Sequence, residues 1–367
     1  MKICIISSVP LGHGGWTKWI YEVSLRLRKF YSDEIVIMIP VRSRTSPFYN
    51  KFLKIGEVYE YAMRWSIRYL FKMMPVFFRD ADITYVSYGE PIVGNDLAIL
   101  FKRLLSKAKI VHGIHFPLVI EHPHKLSHIL HNVMRLTTIP LMHKCPVHIL
   151  NRDAVRLLKK IHVKYFWIPN GVDTKTYKEK RKYEIFTIFY RGANYQKGTD
   201  LLPEIIHYIM KKCSYRVRFI VLGRGHLDYI LKSLKKKYGE ENVSYAEYLN
   251  ESTLVEYLAK SHLYLSLSRF EGLSLLTLEA LACGTPVISY NVSGNRDLII
   301  DNYNGWLVQS FETKSIADKI YEVYRLWKED PCEYYIYSRN ARSSVLKYDW
   351  NRIVEKIREM FENVILS

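Results

Sequence analysis

The stretch Arg269-Phe270-Glu271-Gly272-Leu273-Ser274-Leu275-Leu276-Thr277-Leu278-Glu279-Ala280-Leu281-Ala282-Cys283-Gly284-Thr285-Pro286-Val287-Ile288-Ser289 decides how the rest of the chain is read. Before it, Leu263-Tyr264-Leu265-Ser266-Leu267 is a short apolar run, and Pro286-Val287-Ile288-Ser289 is another. The segment between them reads as a helix, which makes one βαβ unit. Glu271 is expected where the first strand ends, with Gly272 opening the turn. Its carboxylate then projects from the carboxyl edge of a parallel sheet, where open α/β sheets hold ligands. Glu279 follows eight residues later. If the helix begins near Leu273, the two carboxylates stand about two turns apart. That is too far to grip one atom, but it suits two ends of an extended ligand.

Gly272 and Ser274 leave unpaired backbone N–H groups at the helix start, a natural anion site. Phosphate held between two hydroxyl-binding carboxylates describes a nucleotide sugar. The two glutamates taken alone also read as a helix-dipole charge and an exposed helix residue. Their surroundings decide between these readings. Phe270-Glu271-Gly272-Leu273-Ser274, followed by Leu278-Glu279-Ala280-Leu281-Ala282-Cys283-Gly284-Thr285-Pro286-Val287-Ile288, resembles the E-x7-E signature of retaining glycosyltransferases with the GT-B fold, family 4 in particular. The resemblance implies an α/β chain of two Rossmann-like α/β/α domains facing across a cleft. It also implies transfer of a hexose from a UDP- or GDP-linked sugar to an acceptor hydroxyl, with no cofactor beyond that co-substrate and no metal.

The 367 residues suffice for two domains, and 49% hydrophobic with 25% charged residues is a globular composition. No segment reads as a spanning helix and Met1-Lys2 runs straight into a strand, so a cytoplasmic protein is expected, at the inner face of the membrane if it meets one. Five scattered cysteines without a C-x-x-C suggest thiols rather than disulfides or zinc. The net charge of +18 is uneven. Residues 1–170 hold 25 Lys and Arg against 11 Asp and Glu, a surplus of 14 that leaves 4 for the remainder. The first half therefore points to an anionic partner: a membrane, a nucleic acid or a phosphorylated acceptor.

Lys2–Ser7 reads as a buried strand, followed by Gly12-His13-Gly14-Gly15 and a helix to about Leu27. Glycines here let a ligand approach the backbone. A dinucleotide site would add an acidic residue after the second strand, where Arg42 and Arg44 stand instead. Gly14 and Gly15 resemble the family's loop beside the donor phosphates and the acceptor. Residues 51–74, with Arg64, Arg68 and Lys72 at helical spacing, read as a basic amphipathic helix that either packs on its own domain or contacts an anionic membrane. The histidines near 112–131 lack the carboxylate partners and, apart from His124 and His128, the i, i+4 spacing of a zinc helix. His115, after a strand and before Pro117, resembles the family's histidine placed against the donor sugar.

Phe166-Trp167-Ile168-Pro169-Asn170-Gly171-Val172-Asp173 contains a turn by local chemistry, and Pro-Asn-Gly-Val-Asp resembles the family's entry to the second domain. The implied division is an acceptor domain at 1–170, joined by a final helix at 348–367 that crosses back, and a donor domain at 171–347. In the donor domain, Arg191-Gly192-Ala193-Asn194-Tyr195-Gln196-Lys197-Gly198 is a loop after a strand. Lys197 can aim its ammonium at a diphosphate. Relatives carry arginine at the position of Ala193, which leaves Arg191 as the candidate replacement. Gly223, ending the strand Arg216–Leu222, and Tyr245 complete the implied nucleotide pocket.

The resemblance therefore implies Glu271, His115 and Lys197 at the chemistry. Gly14, Gly15, Arg191, Gly192, Gly223, Tyr245, Gly272, Leu273, Ser274, Leu275 and Glu279 would hold the donor with them. A lipid-linked or membrane-presented glycan is the expected acceptor. Two rivals stand beside it: a GT-B enzyme acting on nucleic acid, and a non-catalytic basic binding protein on the same scaffold.

Overall fold

The computed structural model describes residues 1–7, 11–12, 14–40, 43–44, 46, 48–61, 81–88, 109–118, 120, 129, 132–133, 145–214, 216–223 and 228–367. They form two compact units, Met1–Gly171 with Trp350–Ser367, and Val172–Asp349.

In the first unit, β1 (Lys2–Ile6), β2 (Glu34–Pro40), β3 (Glu57–Tyr61), β4 (Ile83–Tyr88), β5 (Lys109–Ile114), β6 (Val147–Ile149) and β7 (Tyr165–Trp167) form a parallel sheet in the order β3-β2-β1-β4-β5-β6-β7. β1 and β2 carry unbroken apolar runs because both faces are covered: Ile3, Cys4, Ile5, Ile35 and Ile37 are all essentially inaccessible. The order reverses between β1 and β4, the switch point where doubly wound sheets open a crevice at their carboxyl edge. Gly14 and Gly15 lie there, at the start of the helix Gly15–Tyr31. The helix Trp350–Leu366 belongs to this unit. Its apolar face, with Trp350, Ile353, Ile357 and Phe361 buried, packs on the helix Gly15–Tyr31 and on β4 and β5. Gly171 is required where it meets this helix, since a Cβ there would lie 2.4 Å from the Trp350 ring.

Residues 57–61 correct the expected helix at 51–74. Glu57-Val58-Tyr59-Glu60-Tyr61 pairs in parallel with β2, from Val36↔Glu57 to Pro40↔Tyr61, after a short helix Tyr49–Phe52. β-prone Val58, Tyr59 and Tyr61 favour an edge strand over a helix. The expected membrane contact through 51–74 loses its helix over that part, and its arginines, Arg64 and Arg68, with Lys72, lie outside the described residues.

In the second unit, β8 (Phe186–Arg191), β9 (Val217–Leu222), β10 (Val243–Ala246), β11 (Leu263–Ser266), β12 (Val287–Tyr290) and β13 (Gly305–Val308) form a parallel sheet in the order β10-β9-β8-β11-β12-β13. Its core joins Phe186, Ile188 and Tyr190 of β8 to Ile205 and Ile209 of the helix Leu202–Lys212 and to Ile316 and Ile320 of the helix Thr313–Glu329. The switch point lies between β8 and β11. The loops leaving those two strands carry Lys197 and Glu271.

Candidate functional site

The loop after β8 is shaped by three contacts. Asn194 accepts from the Lys197 N–H at 3.1 Å and closes a single turn over Tyr195–Lys197. Tyr190 donates its hydroxyl to the Lys197 carbonyl at 3.0 Å. Gly198 has φ of +66°, and a Cβ there would sit 2.2 Å from the Leu267 carbonyl, so only glycine lets the two loops touch. Burial of Tyr190 pushes its phenol well above the ordinary range, which keeps it a neutral donor.

The loop after β11 is fastened to the first. The Arg269 N–H donates to the Gln196 carbonyl at 2.8 Å, and the Gln196 amide donates to the Phe270 carbonyl at 3.2 Å. The Arg269 guanidinium grips both Asp200 carboxylate oxygens at 2.8 Å, donates to the Tyr195 carbonyl at 2.6 Å, and lies 3.8 Å from the Tyr195 ring centroid. This lashing presents Lys197 to Glu271. Lys197 Nζ donates to Glu271 Oε1, and Ser268 donates to the same oxygen at 2.7 Å.

Glu271 and Glu279 are only 7% and 4% exposed. That removes the reading of Glu279 as a solvent-facing helix residue, and buried carboxylates demand compensation. Two local expectations change. β11 ends at Ser266, so Glu271 stands in the connecting loop rather than at the strand tip. The helix spans Leu275–Ala282 with Ser274 as its N-cap, so it starts after Leu273 and carries Glu279 in its second turn. Ser274 Oγ accepts from the Thr277 N–H at 3.2 Å, which leaves its own hydroxyl hydrogen to donate outward. Gly272 and Leu273 precede the cap. Gly294, at φ of +81°, crosses this segment so closely that a Cβ would meet the Gly272 carbonyl at 2.5 Å.

Gly192 and Gly223 meet at the carboxyl ends of β8 and β9. The Gly192 N–H donates to the Leu222 carbonyl at 3.0 Å, and a Cβ on Gly223 would fall 1.8 Å from the Gly192 carbonyl. Tyr245 donates its hydroxyl to the Gly223 carbonyl at 2.8 Å. Strand alternation puts Arg191 on the face opposite Tyr190, which points at the Lys197 loop. Arg191 lies instead near Tyr264, whose phenol burial and the Glu271 charge together raise. Lys197 is the cation seen in an ion pair with Glu271, while Arg191 and Glu271 both act on the Tyr264 phenol.

Gly14, Gly15 and His115 lie in the first unit. Gly14 and Gly15 are exposed, and a Cβ on Gly14 would meet nothing within 4 Å. His115 follows β5 and rests against Trp16 and Trp19, with ring centroids at 4.5 and 4.7 Å. Its Nε2 is 2.7 Å from the Tyr85 hydroxyl, which is also 2.6 Å from His148 Nδ1. Among the described residues, no group of three or more His, Cys, Asp or Glu is placed to hold a metal ion, and no helix is long and apolar enough to cross a membrane.

Sequence reasoning passed over several of these residues. Arg269 and Asp200 are 69 positions apart and neither stands out in its local motif. Asn295, which the sequence did not single out, is fully buried and donates to Ser289 and Ser266 at 2.7 and 3.1 Å, tying β12 to β11. Its neighbours Ser293, Gly294, Arg296 and Asp297 are not apolar, so no local pattern marked it.

Residues 173–343 match the family described as Glycosyl transferases group 1. An uncharacterised glycosyltransferase of Methanocaldococcus jannaschii is 26% identical over 200 residues, 54% of this chain and 53% of that protein. The poly(ribitol-phosphate) alpha-N-acetylglucosaminyltransferase of Staphylococcus aureus is 31% identical over 169 residues, 46% of this chain and 33% of that protein. The chain thus spans between a third and about half the length of these two relatives. Among solved structures, HepE of Anabaena in complex with UDP superposes with a TM-score of 0.76 at 17% identity, covering 99% of this chain and all of that one. The domain match, the paired parallel sheets and that likeness in fold lead to one conclusion: residues 173–343 form a group 1 glycosyltransferase domain, and the chain has the GT-B fold.

Proposed function

We propose that the protein transfers a hexose from a nucleoside-diphosphate sugar to an acceptor hydroxyl, with retention of configuration and without an obligatory metal. The observation that carries this is the Lys197–Glu271 ion pair at the β8/β11 switch point, next to the first turn of the helix Leu275–Ala282. A cation, a helix start and two buried carboxylates within one loop cluster suit a ligand with a diphosphate between two hydroxylated ends.

Donor binding exchanges partners. The diphosphate draws Lys197 from Glu271, and Glu271 turns to the sugar hydroxyls while Glu279 accepts from the ribose. When the bond between the anomeric carbon and the diphosphate oxygen breaks, Lys197 and the helix-start N–H groups stabilise the charge that develops on the leaving oxygen. The acceptor oxygen bonds to the same face of that carbon, and its proton passes to the departing diphosphate. The second unit serves as the donor domain and the first as the acceptor domain.

A uridine donor is supported by the UDP complex of the Anabaena neighbour. An acceptor carried on a lipid-linked or phosphate-rich glycan is supported by the surplus of 14 positive charges in residues 1–170 and by the polyol-phosphate acceptor in the name of the S. aureus relative. Release of nucleoside diphosphate from a panel of UDP- and GDP-sugars tests the donor reading. Turnover of one of them, lost in Lys197→Ala, is expected. Neither turnover nor a thermal shift with any donor would reject it.

A further inference from the structure

The Glu271 carboxylate is held from one side only. Both groups that reach it, the Lys197 ammonium and the Ser268 hydroxyl, donate to the same oxygen, Oε1, the hydroxyl at 2.7 Å. Among the described residues Oε2 accepts no hydrogen bond. The residue is nonetheless 7% exposed. An oxygen of a buried carboxylate that lacks a donor is costly to leave so, and it marks an atom that a ligand can satisfy. An ionised carboxylate only accepts, so the ligand group that meets it must donate, as a hydroxyl does.

The two donors on Oε1 respond differently to an anionic ligand. Lys197 carries the charge for which a diphosphate competes. Ser268 is neutral, 3% exposed, and gives its one hydrogen to Glu271. The backbone on either side of Ser268 is fixed without its hydroxyl. The Leu267 carbonyl lies against Gly198, where a Cβ would sit 2.2 Å away. The Arg269 N–H donates to the Gln196 carbonyl at 2.8 Å, and the Phe270 carbonyl accepts from the Gln196 amide at 3.2 Å. The hydroxyl is therefore carried by the loop and does not hold the loop together.

We propose that Ser268 is a positioning residue: it stays on Glu271 Oε1 when the diphosphate draws Lys197 away, and so keeps Oε2 turned to a hydroxyl of the donor sugar. This rests on the proposed donor site and goes beyond it by giving the two oxygens different tasks. Without the serine, Glu271 would lose its last protein donor at the moment the ligand arrives. The carboxylate would then be free to follow the ammonium, leaving the sugar hydroxyl without its acceptor. A hydrogen bond that fixes one oxygen spares that loss of orientation.

Ser268→Ala and the nearly isosteric Ser268→Cys, whose thiol is a weak donor, test this. Each should lower kcat about tenfold or more with the UDP- or GDP-sugar that the wild type turns over, the scale of one hydrogen bond to a charged group. Affinity for the matching nucleoside diphosphate, which has no sugar hydroxyl, should stay within about twofold by calorimetry. In a Glu271→Gln background, where the acceptor is an uncharged amide, Ser268→Ala should cost less than about threefold. Normal kcat in Ser268→Ala would overturn the proposal, and wild-type behaviour of Ser268→Cys would show that packing rather than the hydrogen bond matters. A parallel fall in nucleoside diphosphate affinity, or an equal cost in the Glu271→Gln background, would also overturn it, because Ser268 would then act on the loop and not through Glu271. Wild-type protein that binds neither a nucleoside diphosphate nor its sugar would instead reject the donor reading, and this proposal with it.

Discussion

Arg269 and Asp200 form a two-point ion pair, Nη1 to Oδ1 and Nη2 to Oδ2, both at 2.8 Å, and this contact ties the loop bearing Lys197 to the loop bearing Glu271. The guanidinium is 9% exposed and the carboxylate 47%, so the pair is desolvated on one side only. Arg269→Ala should destabilise the protein by about 1–3 kcal/mol, below the loss for a fully buried pair. Arg269→Lys, which cannot reach both oxygens, should recover less than half of that. Urea midpoints measure both. A loss within error for Arg269→Ala would show that the two loops do not depend on this contact.

Lys197→Ala and Glu279→Gln should each lower donor turnover by about 10²-fold, the scale of losing one preorganised charge contact. Neither should unfold the protein, because Lys197 stands in the loop after β8 and Glu279 on the helix Leu275–Ala282, both outside the sheet. Steady-state release of nucleoside diphosphate, alongside unchanged far-UV circular dichroism, checks this. Near-normal turnover in both variants would remove the site assignment.

Gly198→Ala should cost at least about 2 kcal/mol, from the left-handed conformation together with the approach of the Leu267 carbonyl. Because that strain sits at the seam between the two loops, nucleotide affinity should fall with it. Gly14→Ala is the control, since nothing lies within 4 Å of its added Cβ and its φ is negative. Thermal midpoints of the two variants should therefore separate.

The buried histidines make an acid-labile fold. His148 has a folded pKa of about 4, below its ordinary value near 6.5, with burial as the main cause. The unfolded chain therefore binds more protons between those values. The stability is present above pH 6.5 and is lost as pH falls towards 4, by roughly 3 kcal/mol for a shift of this size. His262, lowered to about 3 by burial and by nearby Lys182, adds a loss of the same sign in the second unit. Denaturant midpoints between pH 7 and 4.5 should fall in wild type and fall less in His148→Gln.

Much of this was legible in the sequence because the second unit writes its fold in local patterns. Leu263–Ser266 and Val287–Tyr290 are short buried runs around an apolar helix, and Glu271 and Glu279 sit among residues that pack rather than solvate. The two strands, the helix between them and the Lys197 loop were all placed to within a few residues. Distances along the chain set the limit. The pair Arg269–Asp200 and the chain His115–Tyr85–His148–Ile168 join residues 30 or more positions apart, except for the last link, and no spacing rule announces them. The edge strand at 57–61 was missed for a different reason. Its β-prone Val58, Tyr59 and Tyr61 adjoin a longer basic segment with helical spacing, and Glu57 and Glu60, three positions apart, give no period of two to mark a strand.

The claim beneath the rest is that the Lys197–Glu271 cluster receives the diphosphate of a nucleotide sugar. Calorimetric titration of UDP into wild type and Lys197→Ala tests it most directly. The account predicts binding by the wild type and affinity weaker by about tenfold or more in the variant, the loss of one charge-assisted contact. Equal affinities in the two proteins would contradict it.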